Sequence, residues 1–579
     1  MIKSESKSEK TAKIIFMVSA FFSVIAVVAI VLYILVSAVP AFAEIGIFKF
    51  LFGTTWFPNK DMYGVLPMIV STFAVTIGSL LVGGIIGIFT AIFLVYFCPK
   101  KLKGFFNQVI VLLAGIPSII YGFFGMVVLV PLLAEIFHQD SGSGLLASSL
   151  ILGLMILPTV TSLTKNALES VPESYAEGSL AMGATREQTI FKVVLPAAKT
   201  GILSALTLGA GRAIGETMAV LMVCGSSPNF PSELFLPIRT LTVNIVSQMG
   251  YAQDLHREAL FATGFVLLVF ILILNGLLAF IKRTRKVKGG ADKRARVLRE
   301  DSNGEVSYKV CGLVPKILAI VCKVIAALVV SVLVILIGYI LAKGLPHLSF
   351  DFLFGESTYS KVTLRGAFIS TGWIILISLL VAVPIGTATA IFLVEYTKPG
   401  SKIVKVLRVF IDTLSGIPSI VFGLFGMIIF CVNGVSLWAG ALTLALMILP
   451  TIIRSVEESL LAVPGSMREG SLALGASKVR TIFKVILPSA LSGVVTAIIL
   501  SIGRIVSESA ALIFTAGSVP MTPDSPLQGG ATFAVLMYYF TQEKIDFDAA
   551  YGTAAVLLIL VFVLNLLVIL CEKKLKKNR

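Results

Sequence analysis

Gly211-Arg212-Ala213-Ile214-Gly215-Glu216 places two ionisable side chains inside an otherwise apolar segment running from about Gly201 to Cys224. An arginine at the centre of a bilayer-spanning helix costs about 2.5–3.5 kcal/mol on insertion scales. A chain that keeps one there must compensate it. On a continuous helix Arg212 and Glu216 are four residues apart, so they share a face and can pair. Thr207, Gly211 and Gly215 then form a neighbouring stripe of small residues along which another helix can approach closely. The arrangement returns at Gly503-Arg504 and Ser507-Glu508. Its duplication favours a functional use over a pair of structural braces, because buried ion pairs are often no better for stability than apolar residues.

The rest of the chain agrees with a membrane setting. Its 579 residues are 57% hydrophobic and only 13% charged, with a mean hydropathy of +0.98. Soluble globular chains do not reach these values. The net charge of +16 does not point to nucleic acid, because the basic residues are spread through short stretches between apolar runs instead of forming one surface. That spread is the pattern of loops on the inner side of a membrane. The six cysteines are scattered without a CxxC pair, so neither a disulfide framework nor a zinc site is indicated. His138, His256 and His347 are far apart and read as ordinary surface residues in loops.

Taken in order, apolar runs at about 14–39, 66–97, 105–134, 144–164, 200–224 and 259–281 are each long enough to span a bilayer. The first could be a cleaved signal peptide, given the small residues at Ala41-Phe42-Ala43, but its apolar core exceeds the roughly 7–15 residues of an h-region. It is read as a helix. A basic stretch at 282–312 reads as a solvated linker that divides a first domain, 1–281, from a second, 313–579. Six more spans follow at about 313–343, 366–396, 405–431, 435–455, 491–516 and 549–571. The expected fold is all-α, with about twelve transmembrane helices and both termini in the cytoplasm, because that topology puts most Lys and Arg inside.

The two halves are repeats. Leu113–Met126 and Leu414–Met427 are identical at ten of fourteen positions, LMILPT at Leu154–Thr159 recurs at Leu446–Thr451, and Glu177–Gly201 matches Glu469–Gly493 at sixteen of twenty-five. With six spans in each repeat, the halves run parallel, related by an axis along the membrane normal. That disfavours an inverted-repeat, ion-coupled carrier. Pro117 and Pro418 lie inside the repeated GIPSI segments and are expected to kink or break their helices. Ser118 and Ser419 beside them are candidate pore-lining hydroxyls.

On the inner face, about 169–197 and 457–489 each form an amphipathic helix-Gly-helix segment between spans. Such a segment suits docking to another subunit, although an interfacial helix lying on lipid headgroups has the same pattern. It resembles the EAA loop of bacterial ATP-binding-cassette importer permeases. Glu177, Gly183, Leu195 and Pro196, and Glu469, Gly475, Leu487 and Pro488, keep that motif's spacing, while Gly-Ser replaces Ala-Ala and Val replaces Ile. Together with the GIPSI segments, LMILPT and GRAIGETMAV, the chain resembles the phosphate-specific transport permeases, as a fusion of two chains that are normally separate. The second copy, GRIVSESAAL, keeps the ionisable pair but has Ser-Glu-Ser where a Gly-Glu-Thr triplet is usual.

The resemblance implies a plasma-membrane permease for inorganic phosphate that works by alternating access. Arg212, Glu216, Arg504 and Glu508 would line the pathway. The guanidinium groups offer planar, bidentate donors to an oxyanion, and the carboxylates can accept from its protonated oxygens. No G-x-x-x-x-G-K-[ST] phosphate loop occurs. The chain is therefore read as a permease and not an enzyme, with no cofactor or metal of its own and with ATP used by two separate cassette subunits. An extracytoplasmic phosphate-binding protein is the expected donor, and a phosphate-signalling regulator is a further partner that the resemblance raises. Molybdate, sulfate or phosphonate as substrate, or a sensing scaffold for which transport is secondary, remain open alternatives.

Overall fold

The computed structural model describes residues 7–283, 313–358, 361–398 and 401–577. The linker reading of 282–312 lies outside these residues apart from Lys282 and Arg283, which end the helix Asp254–Arg283. Among the described residues, ten helices are long and apolar enough to cross a membrane, or twelve if each of two sharply bent pairs is one crossing. They correspond in order to the twelve expected spans. The chain is an all-α polytopic membrane protein. A two-residue hairpin pairing Trp56 with Tyr63 forms the one small sheet among the described residues.

The halves interlock through their first helices. Lys7–Ile45 runs along Asp254–Arg283 of its own half and then against Arg365–Ile391 and Lys402–Gly416 of the other. In the second half Leu313–Gly344 packs on Phe547–Lys577 and also on Ile85–Ile92 of the first. One face of each long helix is buried while the opposite face keeps apolar residues such as Val18, Val36 and Val334 exposed. In a bilayer that face meets acyl chains of equal apolarity, so exposure there carries no hydrophobic penalty.

Four of the expected spans are broken, two at the prolines where a kink or break is expected and two at the arginine segments, where a continuous helix is expected. At the GIPSI repeats the helices stop at Gly115 and Gly416 and restart at Ser118 and Ser419, the second break turning the chain by 96°. Proline supplies the reason, because Pro117 has no N–H for the Leu113 carbonyl and the residue before a proline is pushed out of the helical region. Ile116 and Ile417 are accordingly extended, with ψ of 128° and 132°. At the arginine segments the helices Lys199–Gly215 and Leu487–Ser507 end one residue before the glutamate, and short helices resume at Met218 and Ala510.

The histidine reading also needs correction. His256 lies in the first turns of Asp254–Arg283, half-buried, with Nε2 2.9 Å from Gln248 Oε1 and its ring against Trp56 and Tyr63. Since Gln248 Oε1 also accepts from Trp56 Nε1 at 2.9 Å, the imidazole carries its proton on Nε2 in this arrangement.

Candidate functional site

The four breaks converge on one cavity of about 1020 Å³ between the halves. Arg212, Glu216 and Ser118 line it from the first half and Arg504, Glu508 and Ser419 from the second. The six residues singled out for a substrate path are thus brought together. Their mutual geometry differs from the helix-face pairing expected from the four-residue spacing.

Because the helix ends at Gly215, Glu216 takes an extended backbone with ψ of 133° and Glu508 does the same with ψ of 134°. Glu216 Oε1 accepts from the Ala219 amide at 3.4 Å, and Glu508 Oε1 accepts from Ser509 at 3.2 Å and Ala511 at 3.4 Å. Each carboxylate therefore caps the start of the next short helix, where amides lack intrahelical acceptors and negative charge is favoured. Gly215 faces the other half, since a Cβ there would lie 3.4 Å from Pro418.

The arginines turn elsewhere. Arg212 Nη1 donates to Thr159 Oγ1 at 2.9 Å, and Arg504 Nη1 donates to Thr451 Oγ1 at 3.1 Å. Both threonines close the LMILPT repeat. Among the described residues no ion pair joins Arg212 to Glu216 or Arg504 to Glu508. Each guanidinium has one arm fixed by a neutral hydroxyl. Its remaining N–H groups are not held by a carboxylate.

The cavity wall holds further polar residues that periodicity did not single out. Asp412 and Arg454 form an ion pair on the second-half wall, at positions occupied by Val111 and Ser162 in the first. Arg454 is one helical turn beyond Thr451, so the second half carries an extra cation along the same helix face. Asn275 and Asn565, one from each half, line the cavity as well. The available sequence signal was a lone asparagine after leucine in an otherwise apolar final span of each repeat.

Each EAA-like segment lies at the end of its own arginine helix opposite the glutamate. Glu177 and Glu469 are exposed on the helices Glu173–Ala181 and Gly465–Ala473. Gly183 and Gly475 follow with φ of +82° and +83° and nothing within 4 Å of a Cβ. This left-handed conformation, not crowding, is what calls for glycine. The departure from Ala-Ala has a structural counterpart, because Ser179 Oγ lies 2.9 Å from Thr189 Oγ1 and Ser471 Oγ 2.9 Å from Thr481 Oγ1, tying the two arms of each segment. Met182 and Leu474 project beside the glycines at 89% and 91% exposure. Leu195 and Leu487 are half-buried, and Pro196 and Pro488 are exposed, where each segment feeds into its arginine helix.

Comparison with known proteins matches residues 83–287 and 382–577 to the family described as binding-protein-dependent transport system inner membrane component. The chain is 32% identical over 572 residues to a protein of Mycoplasma pneumoniae named "Phosphate transport system permease protein PstA homolog", covering 87% of this chain and 86% of that one. It is 40% identical over 285 residues to a Bacillus subtilis protein named "Probable ABC transporter permease protein YqgH", covering 48% of this chain and 92% of the other. It is 34% identical over 264 residues to a Mesorhizobium japonicum protein named "Phosphate transport system permease protein PstC", covering 42% and 81%. Two family matches on one chain, with a relative aligned along most of its length, show that this is a fused double permease of the binding-protein-dependent ATP-binding-cassette importer family, a membrane-embedded transport component and not an enzyme.

Proposed function

We propose that the chain is the translocation pathway for inorganic phosphate in an ATP-driven importer of the bacterial plasma membrane. The observation that carries this reading is the placement of Arg212 and Arg504 on one cavity, each held by a threonine hydroxyl and neither paired with the nearby carboxylate. Two guanidinium groups from opposite walls offer planar, bidentate donors to a tetrahedral oxyanion. Glu216 and Glu508 cap their helices through one oxygen each. The carboxylates thus lie beside the arginines as acceptors for a protonated oxyanion oxygen, a group that hydrogen phosphate has and sulfate lacks at neutral pH. The names of the relatives from Mycoplasma pneumoniae and Mesorhizobium japonicum point to the same substrate.

In this reading two cassette subunits bind the segments around Glu177, Gly183 and Met182 and around Glu469, Gly475 and Leu474. ATP-driven closure of those subunits moves the arginine helices, and a separate binding protein delivers the anion at the other end. Both termini and the basic linker lie on the cytoplasmic side.

Phosphate uptake in cells that lack their own high-affinity system tests the proposal. The cells receive this chain with its cassette subunit and binding protein. Arg212→Gln and Arg504→Gln should each abolish uptake while the complex still assembles. Uptake that persists in both variants would make the arginines structural, and a wild type that moves only another oxyanion would overturn the substrate.

A further inference from the structure

The two EAA-like segments differ at the short helix that opens their second arm. In the first half, Thr185 and Gln188 form a capping box around Arg186–Thr189. The Gln188 amide donates to Thr185 Oγ1 at 3.3 Å, and the Thr185 amide donates to Gln188 Oε1 at 2.9 Å. In the second half Ser477 Oγ still accepts from the Arg480 amide at 3.3 Å, but arginine stands in the place of Gln188 and its side chain has no acceptor. The other half supplies one. Glu9 Oε1, at the inner end of Lys7–Ile45, accepts from the Lys478 amide at 3.0 Å. A carboxylate suits that place, because the first amides of a helix lack intrahelical acceptors and favour negative charge.

The contact continues as a seam. Phe16 lies about two turns further along the same face as Glu9. It is buried, with its ring 5.6 Å from that of Tyr396 and 6.3 Å from that of Phe483. Lys478 Nζ sits 4.6 Å above the Tyr396 ring, a cation–π arrangement. Phe483 belongs to Ile482–Ile486, which runs directly into Leu487–Ser507, the helix that carries Arg504. On the opposite side Leu313–Gly344 buries Cys322 and Ala326 with Phe93, Ile190 and Val194. Each EAA-like segment thus rests on the first helix of the other half. Gln188 shows that a cap can be built from within a segment. Drawing the carboxylate from the other half makes the second segment depend on where the first helix stands.

We propose that Glu9 is a positioning residue that ties the second EAA-like segment to the first half, so that a cassette subunit pressing on this segment moves both halves together. The inference rests on the docking reading of the segments and extends it. Without the tie, part of each cassette closure is spent on displacing the segment alone.

The test uses the full chain purified with its cassette subunits and placed in liposomes with the binding protein. Backbone hydrogen exchange of a peptide covering 478–486 reports the contact, with 186–194 as the internal reference. ATP hydrolysed per phosphate taken up reports the positioning. In Glu9→Ala, exchange over 478–486 should quicken about tenfold, the scale of a lost hydrogen bond to a charged group, while 186–194 stays as it was. ATP per phosphate should rise about fivefold, the low end of a coupling between sites. Glu9→Gln keeps an oxygen acceptor and should lie near wild type in both. Adding Arg480→Gln to Glu9→Ala rebuilds the first-half box inside the second segment, so it should restore protection but not the ratio.

Unchanged exchange over 478–486 in Glu9→Ala overturns the contact. Faster exchange with an unchanged ratio, even where both rates fall together, overturns the positioning role, as does recovery of the ratio in the double variant. If wild type carries sulfate instead of phosphate and ATP per sulfate rises in Glu9→Ala, the tie stands and the phosphate reading fails. If wild type carries phosphate and the ratio is flat, the phosphate reading stands and the tie fails. A wild-type complex that carries neither anion overturns both. Co-elution with the cassette subunits reports folding. Should Glu9→Ala fail to assemble, the double variant is read in its place, and a wild-type ratio there is the overturning result.

Discussion

Tyr121 donates its hydroxyl to the Leu113 carbonyl at 2.8 Å, the oxygen whose helical partner is missing because residue 117 is proline. Tyr121 is fully buried, so the bond replaces one that the chain geometry removed. The second half solves the same problem differently. Phe422 occupies the equivalent place, and Ile417 N–H turns back to the Leu414 carbonyl at 3.4 Å. Tyr121→Phe should therefore destabilise the chain by about 1–3 kcal/mol, the penalty of a buried acceptor left alone. Thermal unfolding of the detergent-solubilised protein would register this as a lowered midpoint. An unchanged midpoint would mean that the Leu113 carbonyl finds another donor.

Thr159 and Thr451 each fix one arm of an arginine. Replacing either by valine keeps the volume and removes the hydroxyl. Uptake should drop by about tenfold, as a hydrogen bond to a charged group is worth about 1.5–3 kcal/mol, yet remain above that of Arg212→Gln or Arg504→Gln. Loss equal to the arginine variants would show that the hydroxyl contacts substrate itself.

Gly416 and Asn275 are coupled across the halves. Gly416→Ala gains helix propensity of about 0.5–1 kcal/mol but drives a Cβ into the Asn275 amide, an overpacking that costs about 1–3 kcal/mol. The net change should be destabilising by about 1 kcal/mol. Adding Asn275→Ala should give less destabilisation than the sum of the single changes. A double-mutant cycle on unfolding midpoints decides it, and strict additivity would place the two residues out of contact.

At the EAA-like segments, Gly183→Ala and Gly475→Ala meet open space but must hold φ near +82° and +83°. The penalty is therefore confined to the backbone, about 1–2 kcal/mol per position. Pull-down of the cassette subunits should weaken in both variants while the melting of the permease alone shifts little. Undiminished pull-down would argue that neither turn bears on docking.

Much of this architecture was readable in the sequence because repetition and hydropathy report it directly. The twelve spans followed from apolar length and the duplicated halves from GIPSI and LMILPT. The helix breaks at Glu216 and Glu508 were not readable from spacing. The four-residue interval between arginine and glutamate fits a helical face, and glycine precedes only one of the two glutamates. What ends those helices is a tertiary and local compromise in which each carboxylate satisfies amides of the following short helix. Asn275 and Asn565 escaped notice because a single polar residue in an apolar run has no periodicity. Only the packing of one half on the other reveals that both face glycine at a break.

The walls of the cavity match at Arg212 and Arg504 but part company one turn away, where Asp412 and Arg454 stand opposite Val111 and Ser162. A tetrahedral anion at the arginines could be rotated half a turn about the axis between the repeats and find the same donors. At the next level it could not. On the proposed anion pathway the duplication would supply two equivalent handholds, whereas the level of Asp412 and Arg454 presents an ion pair on the wall of the second half and Val111 and Ser162 on that of the first.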